Sequence, residues 1–145
     1  ALHLDALLRD VLDHYPLLGR NVTLLGEPKA GTWQLRRVGV RRAVINLVDN
    51  ALRHAGEPVQ IDARRTPEGA VVEVLDRGPG IPPHEAERLK RPFTRLSESR
   101  SGAGGAGLGL AIVERIARAH GGSLNLAPRE GGGLVARLLL KRVSS

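Results

Sequence analysis

The chain has no cysteine and no methionine, and aromatic residues make up only 2% of it. Without thiols there is no disulfide framework and no thiolate metal site, and cysteine usage says nothing of the compartment. With one Trp, one Tyr and one Phe, the core has to be assembled from Val, Leu, Ile and Ala. The stacking platforms of single-strand nucleic-acid binders are also nearly absent. No apolar run reaches the roughly 18 residues that a membrane-crossing helix needs, and no secretory signal pattern is present, so the sequence predicts a domain that is not membrane-inserted. A run of basic residues is missing too. Lys and Arg outnumber Asp and Glu by 22 to 15, for a net charge of +7. The densest clusters are nevertheless only pairs, Arg36-Arg37, Arg41-Arg42 and Arg64-Arg65. A nucleic-acid partner is therefore not expected. The excess reads as a solvated basic surface or as a face that receives an anionic ligand or an acidic partner.

What is present suits one globular domain. A chain of 145 residues with 41% hydrophobic content buries roughly two-thirds of its unfolded surface. It starts abruptly in Ala1-Leu-His-Leu-Asp-Ala-Leu-Leu8, which reads as part of something longer. Leu2, Leu4, Leu7, Leu8, Val11 and Leu12 recur with helical spacing and predict a helix over 2–14 that ends before Pro16. Residues 21–25 and 32–36 read as short strands separated by a Gly/Pro turn. Val40, Ala43, Val44, Leu47, Val48, Ala51 and Leu52 predict an amphipathic helix over 38–55. Strands are expected over 59–64 and 70–76, joined by the turn Thr66-Pro-Glu-Gly69. A short helix is expected over 82–90 and a mobile Ser/Gly loop over 97–107. Leu108, Ile112, Ile116 and Ala119 mark another helix, ended by Gly121-Gly122. A last strand pair is expected over 123–127 and 134–140. The order predicts an α+β fold: one mixed, mostly antiparallel sheet of about five strands, covered on one face by three helices.

Chemistry concentrates in four short segments. In Asn46-Leu-Val-Asp-Asn50-Ala-Leu-Arg-His54, with Leu47 at the centre of the apolar stripe, Asn50 lies about 60° to one side, Asn46 about 100° and Arg53 about 120°. Asn is a mediocre helix former. Two of them on one shoulder suit either a solvated helix edge or amide-oxygen ligation of a hard cation such as Mg²⁺, with Arg53 reaching phosphates. Asp76-Arg-Gly-Pro-Gly80 follows a strand. It fits ordinary turn chemistry, or a carboxylate accepting from an adenine amino group where glycines admit the base. Pro92-Phe93-Thr-Arg95 is the third segment. The fourth, Gly105-Ala-Gly107-Leu-Gly109-Leu110, is either a capping linker or a helix start that offers backbone N–H groups to phosphate. Gly102–Gly107 matches G-x-G-x-x-G formally, but no strand precedes it, so the dinucleotide fingerprint is rejected. No G-x-x-x-x-G-K-[ST] occurs, which excludes a P-loop. Histidines 3, 14, 54, 84 and 120 show no metal-ligand spacing.

In this order the segments resemble the N, G1, F and G2 boxes of the catalytic, ATP-binding domain of bacterial sensor histidine kinases, in the GHKL ATPase superfamily. The short lid, Asp-x-Gly-Pro-Gly-Ile81 and Gly-Leu-Gly-Leu110-Ala-Ile-Val look most like the osmosensor subgroup, and Gly131–Arg137 resembles the last strand of such domains. The resemblance implies that Asn50 coordinates Mg²⁺ on the ATP phosphates, with Asn46 assisting directly or through water. It implies that Arg53 and Arg95 approach phosphate, that Asp76 binds the adenine amino group, and that Gly78 and Gly80 let the chain turn beneath the base. Phe93 is implied to anchor the lid, and Gly107 and Gly109 to hinge it. Ile81, Gly105, Leu108 and Leu110 line the same site by position, and His54 stands where many relatives carry Tyr. The catalytic residues so implied are Asn50 and Arg95.

Two residues depart from the family pattern. Lys90 replaces a frequent Phe, and Ala106 replaces a frequent Thr or Ser, which weakens lid contacts. No His-[Glu/Asp]-x-x-[Ser/Thr]-Pro acceptor segment occurs. The resemblance therefore implies a partner: a separate dimerisation and histidine phosphoacceptor domain, with a response regulator receiving the phosphate. It further implies a cytoplasmic domain, monomeric by itself, from a homodimeric parent of the bacterial inner membrane. A serine kinase acting on a protein partner, and a nucleotide-binding module without catalysis, are the competing readings.

Overall fold

The computed structural model describes residues 2–79 and 108–141. In chain order the elements are β1 (Leu2–His3), α1 (Leu4–Leu17), β2 (Val22–Leu24), β3 (Thr32–Trp33), α2 (Arg37–His54), β4 (Val59–Thr66), β5 (Gly69–Leu75), α3 (Leu108–Ala119), β6 (Ser123–Pro128) and β7 (Leu134–Leu140). The main sheet has the order β2-β4-β5-β7-β6. Its β2–β4 pair is parallel and the other neighbours are antiparallel. This is the expected α+β fold. The helix expected over 82–90 and the loop over 97–107 lie outside the described residues.

Alternation along the strands decides which face the helices cover. Val59, Ile61 and Ala63 of β4, Ala70, Val72 and Val74 of β5, and Ala136, Leu138 and Leu140 of β7 are buried in one cluster with the apolar stripes of all three helices. The core is aliphatic, as the shortage of aromatics requires; among the described residues Tyr15 is the one buried Phe, Tyr or Trp. On the opposite sheet face, Glu73 in the middle of β5 is 8% exposed. Arg64 Nη1 donates to its Oε1 at 2.8 Å and Arg137 Nε to its Oε2 at 2.8 Å. Burial alone raises the Glu73 pKa, but these two guanidinium groups outweigh it and hold the carboxyl below the usual carboxylate range.

Two expectations about the first third need correcting. The first helix continues through Pro16 to Leu17. A proline costs most in a helix interior, where it removes a bond to the preceding turn. Pro16 gives up that bond as well, but the helix ends one residue later, and the adjacent Tyr15 holds the turn down: its ring is buried and its hydroxyl donates to Asp49 Oδ1 at 3.0 Å. Burial first, then the charge and hydrogen bond of Asp49, push the Tyr15 hydroxyl well above the ordinary phenol pKa. The strands expected over 21–25 and 32–36 shorten to Val22–Leu24 and Thr32–Trp33 and belong to different sheets. β2 joins β4, and β3 pairs with β1 in a two-stranded ribbon. The ribbon is tied to α1 by Asp5, whose carboxylate accepts from the N–H groups of Ala30 and Gly31.

His120, buried just after α3, sets the relation of α3 to α2. Its Nδ1 lies 2.8 Å from the Ile116 carbonyl oxygen, and its Nε2 accepts the Arg36 N–H at 3.1 Å. This pattern assigns the proton to Nδ1. Arg36 caps α2 without a side-chain bond of its own, so the imidazole ties the end of α3 to the start of α2.

Candidate functional site

Two sets of sequence-predicted residues meet near the C-terminal half of α2. On α2, Gly39, Asn46, Asn50 and Arg53 fall within about 60° of one another. Gly39 marks where that stripe points, because a Cβ on it would stand 3.8 Å from Ile116 and 3.9 Å from His120. The stripe therefore faces α3 at the start of α2. With α3 packed along α2 and tied to Arg36 at its far end, its 12 residues extend roughly 18 Å. That length brings Gly109 and Leu110 back to the level of Asn46 and Asn50. Leu110 is buried, while a Cβ on Gly109 would meet no described residue within 4 Å.

Asn46 Nδ2 is buried and has no hydrogen-bond partner among the described residues. An unsatisfied buried amide costs about 1–3 kcal/mol, so its retention on this stripe asks for a reason, and a bound ligand would supply one. Asn50 is half-buried, and Arg53 and His54 are exposed. Partial burial, and then the charge of Arg53, lower the His54 pKa, with Asp76 acting in the opposite sense.

The second set is centred on Asp76, just past the end of β5 and 4% exposed. Its Oδ1 accepts from the N–H of Gly78 at 2.9 Å and from that of Leu134 at 3.1 Å. No described residue donates to Oδ2, so the carboxylate holds one oxygen fixed and offers the other. At Gly78 it is the protein itself that approaches closely. A Cβ there would stand 2.9 Å from Ala55 Cα and overlap Ala55 Cβ. The turn after β5 is thus pressed against the end of α2, which draws Asp76 towards His54.

Sequence reasoning missed the third wall, the β6–β7 turn. Gly133 has φ of +112°, and a Cβ on it would overlap the Asp76 carbonyl oxygen. Asp76 N–H donates to the Leu134 oxygen at 3.0 Å, and Arg129 Nη1 donates to the Asp76 carbonyl at 3.2 Å. The signal available was the run Gly131-Gly-Gly133, denser in glycine than a hairpin turn needs. Of the remaining expected site residues, Gly80, Ile81, Phe93, Arg95, Gly105 and Gly107 lie outside the described residues, as do Lys90 and Ala106. Leu108 begins α3.

Residues 36–144 match the family described as histidine kinase-, DNA gyrase B- and HSP90-like ATPase. The chain belongs to this family. Within it, the sensor protein CutS of Streptomyces coelicolor is 40% identical over 131 residues, covering 88% of this chain and 32% of that protein. The sensor histidine kinase GtrS of Pseudomonas aeruginosa is 37% identical over 143 residues, covering 97% of this chain and 28% of that protein. The chain thus spans less than a third of either relative's length. Among solved structures, the ATP-binding domain of PrrB from Mycobacterium tuberculosis superposes with a TM-score of 0.78 at 26% identity, covering 99% of this chain and 96% of that one. The histidine kinase domain of the E. coli osmosensor EnvZ superposes at 0.67 with 33% identity, covering 99% and 89%. The chain is a catalytic ATP-binding domain of the sensor histidine kinase type. Among its described residues no helix is long and apolar enough to cross a membrane.

Proposed function

We propose that this domain binds Mg-ATP and donates the γ-phosphate to a histidine on a separate dimerisation domain of its parent protein, for relay to an aspartate of a response regulator. The observation that carries this reading is the buried, unpartnered amide of Asn46, on the same helical stripe as Asn50 and Arg53 and level with the start of α3. Such an amide is out of place in a packed helix and in place beside a polyphosphate.

In this reading the Oδ2 of Asp76 accepts from the 6-amino group of adenine, and Gly78 and Gly80 let the chain turn beneath the base. His54 packs on the nucleotide. The N–H groups at the start of α3 and the guanidinium of Arg53 meet the phosphates. Among the described residues no three His, Cys, Asp or Glu gather as a metal site, and Asn46 and Asn50 offer a cation amide oxygens beside the phosphate oxygens. That set fits Mg²⁺, which keeps few protein ligands. Asn50 would hold it, with Asn46 directly or through water, and the ion would supply charge neutralisation on the phosphates. Arg95 contacts phosphate, Phe93 anchors the lid, and Gly80, Ile81, Gly105, Gly107, Leu108 and Leu110 complete the enclosure. Phosphoryl transfer asks the protein mainly for positioning and electrostatic stabilisation. The acceptor histidine and its acidic neighbour, the general base, come from the dimerisation domain. The domain works in the cytoplasm as part of a homodimeric inner-membrane sensor and is a monomer by itself.

Calorimetric titration with a non-hydrolysable ATP analogue, with and without Mg²⁺, tests the site. Mg-sensitive binding in the micromolar range is expected, followed by phosphate transfer from ATP once a cognate acceptor domain is supplied. No binding would end the reading. Binding without transfer in the intact parent would leave a regulatory nucleotide module, and a serine-phosphorylated partner would reassign the acceptor.

A further inference from the structure

Arg129 is a turn residue, yet it makes two long-range bonds. Nη1 donates to the Asp76 carbonyl oxygen at 3.2 Å and Nη2 to Gln60 Oε1 at 2.6 Å. Gln60 belongs to β4 and Asp76 follows β5, so the guanidinium spans from β6–β7 to both of the strands beyond. The brace is reciprocal. Arg77, next to Asp76, donates from Nη1 to the carbonyl oxygens of Glu130 at 3.1 Å and Gly132 at 3.2 Å. The turn closes on itself through Arg129 N–H to Gly133 O and Gly132 N–H to Arg129 O, both 2.9 Å. The same turn delivers the Leu134 N–H to Asp76 Oδ1. Backbone, carbonyl and one carboxylate oxygen of Asp76 are therefore all positioned by one five-residue turn. Among the described residues, nothing occupies Oδ2.

We propose that Arg129, anchored on Gln60, is a positioning residue for nucleobase selectivity: it fixes the Asp76 backbone so that Oδ2 meets a 6-amino purine. This rests on the reading of Asp76 as the adenine acceptor. It also separates two effects that removal of Arg129 would produce. Loss of its positive charge weakens every nucleoside triphosphate alike. Loss of the brace weakens only those with a 6-amino group, because only they use Oδ2. A ratio of affinities isolates the second effect.

The test is calorimetry on the whole chain with Mg²⁺ and two probes, a non-hydrolysable ATP analogue and the matching purine-riboside analogue that lacks the amino group. The unaltered chain prefers the adenine probe. In Arg129→Ala that preference falls roughly tenfold, the scale of one hydrogen bond to a charged group, beyond any common loss of affinity. Gln60→Ala keeps the charge of Arg129 and removes its anchor, so it lowers the preference in the same direction by less. The double variant falls no further than Arg129→Ala, since the two side chains act as one unit. An equal loss for both probes, or an unchanged ratio in a folded variant, overturns the inference. If Arg129→Ala does not fold, Arg129→Lys and Gln60→Ala decide by the same ratio. A different result would strike the underlying reading: if the unaltered chain does not distinguish the probes, or Asp76→Asn leaves the ratio unchanged, then Asp76 is not the adenine acceptor and the role of Arg129 falls with it.

Discussion

The two ends of the site are built on opposite principles. Around Asp76 nearly every polar atom has a partner within the protein, two glycines are pressed against neighbouring backbone, and a single carboxylate oxygen is left over. Around Asn46 and Asn50 the reverse holds among the described residues: a buried amide has no partner, and nothing stands within 4 Å of a Cβ on Gly109. A base is a rigid plane, and a preformed acceptor selects it at little cost in ordering. A triphosphate with its cation is flexible and highly charged, and the groups that meet it stay unpaired until it arrives. Stability is therefore concentrated at the base end and sacrificed at the phosphate end, as expected where function opposes folding.

The strongest way to break this contrast is to substitute at each end and watch binding and stability separately. Asn50→Ala is expected to lower affinity for Mg-ATP by roughly a hundredfold, the scale of losing a cation ligand beside charged phosphates. Its urea midpoint should move little, because Asn50 is half-buried and makes no side-chain hydrogen bond among the described residues. Titration calorimetry and urea unfolding read the two quantities. Equal binding by the variant would remove Asn50 from the site.

Gly78→Ala attacks the built end, and there the two readouts should move together. The added methyl must displace Ala55, and forced overpacking of this kind costs about 1–3 kcal/mol. Thermal unfolding should show the loss without ligand, and nucleotide affinity should fall with it as Asp76 shifts. A variant as stable as the parent would show that the approach of the β5 exit to α2 is slack.

Asn46→Leu sharpens the comparison because its two readouts should have opposite signs. Leucine fills a similar volume and removes the orphaned amide, so the nucleotide-free domain is expected to gain about 1 kcal/mol. Mg-ATP binding should weaken at the same time. A loss of stability would mean that the amide has a partner in solution and that the phosphate end is not held in reserve.

The parts of this contrast that could be read from sequence were those in which a residue type sat where its element does not want it. Asparagine at 46 and 50, on the shoulder of an amphipathic helix, was visible because the helical period is strong over 38–55. Asp76 was visible because it ends an apolar strand. Arg129 was not, since Arg in Pro-Arg-Glu-Gly-Gly-Gly is an ordinary turn residue and its partners Gln60 and Asp76 are distant in the chain. The fold shows the same division. The β4–β5 hairpin is local, and its register follows from alternation and a two-residue turn. The β1–β3 ribbon is two residues wide and depends on Asp5 reaching Ala30 and Gly31, and Leu2 there fits the helical pattern of α1 as well as it fits a strand. The parallel β2–β4 pair is similarly non-local. Its strands are separated by α2, so nothing in residues 21–25 announces the partner.

The smallest effect is expected away from both ends, at Glu73 on the outer sheet face, and it serves as the control. Its carboxyl is held below the usual carboxylate range by Arg64 and Arg137 against the opposing effect of burial. A folded-state pKa below the unfolded one means that the unfolded chain binds the proton more readily. The stabilisation is therefore complete above the ordinary carboxylate range and is lost as pH falls through the folded-state pKa. Glu73→Gln should cost about 1 kcal/mol near neutral pH, since both arginines are partly solvated and keep water as a partner. The gap between variant and parent in urea midpoint should close on acidification. Nucleotide affinity should not change at any pH where both are folded. If it did change, the outer sheet face would be coupled to the site, and the separation of a rigid base end from a waiting phosphate end would be too local a description of how this domain holds its ligand.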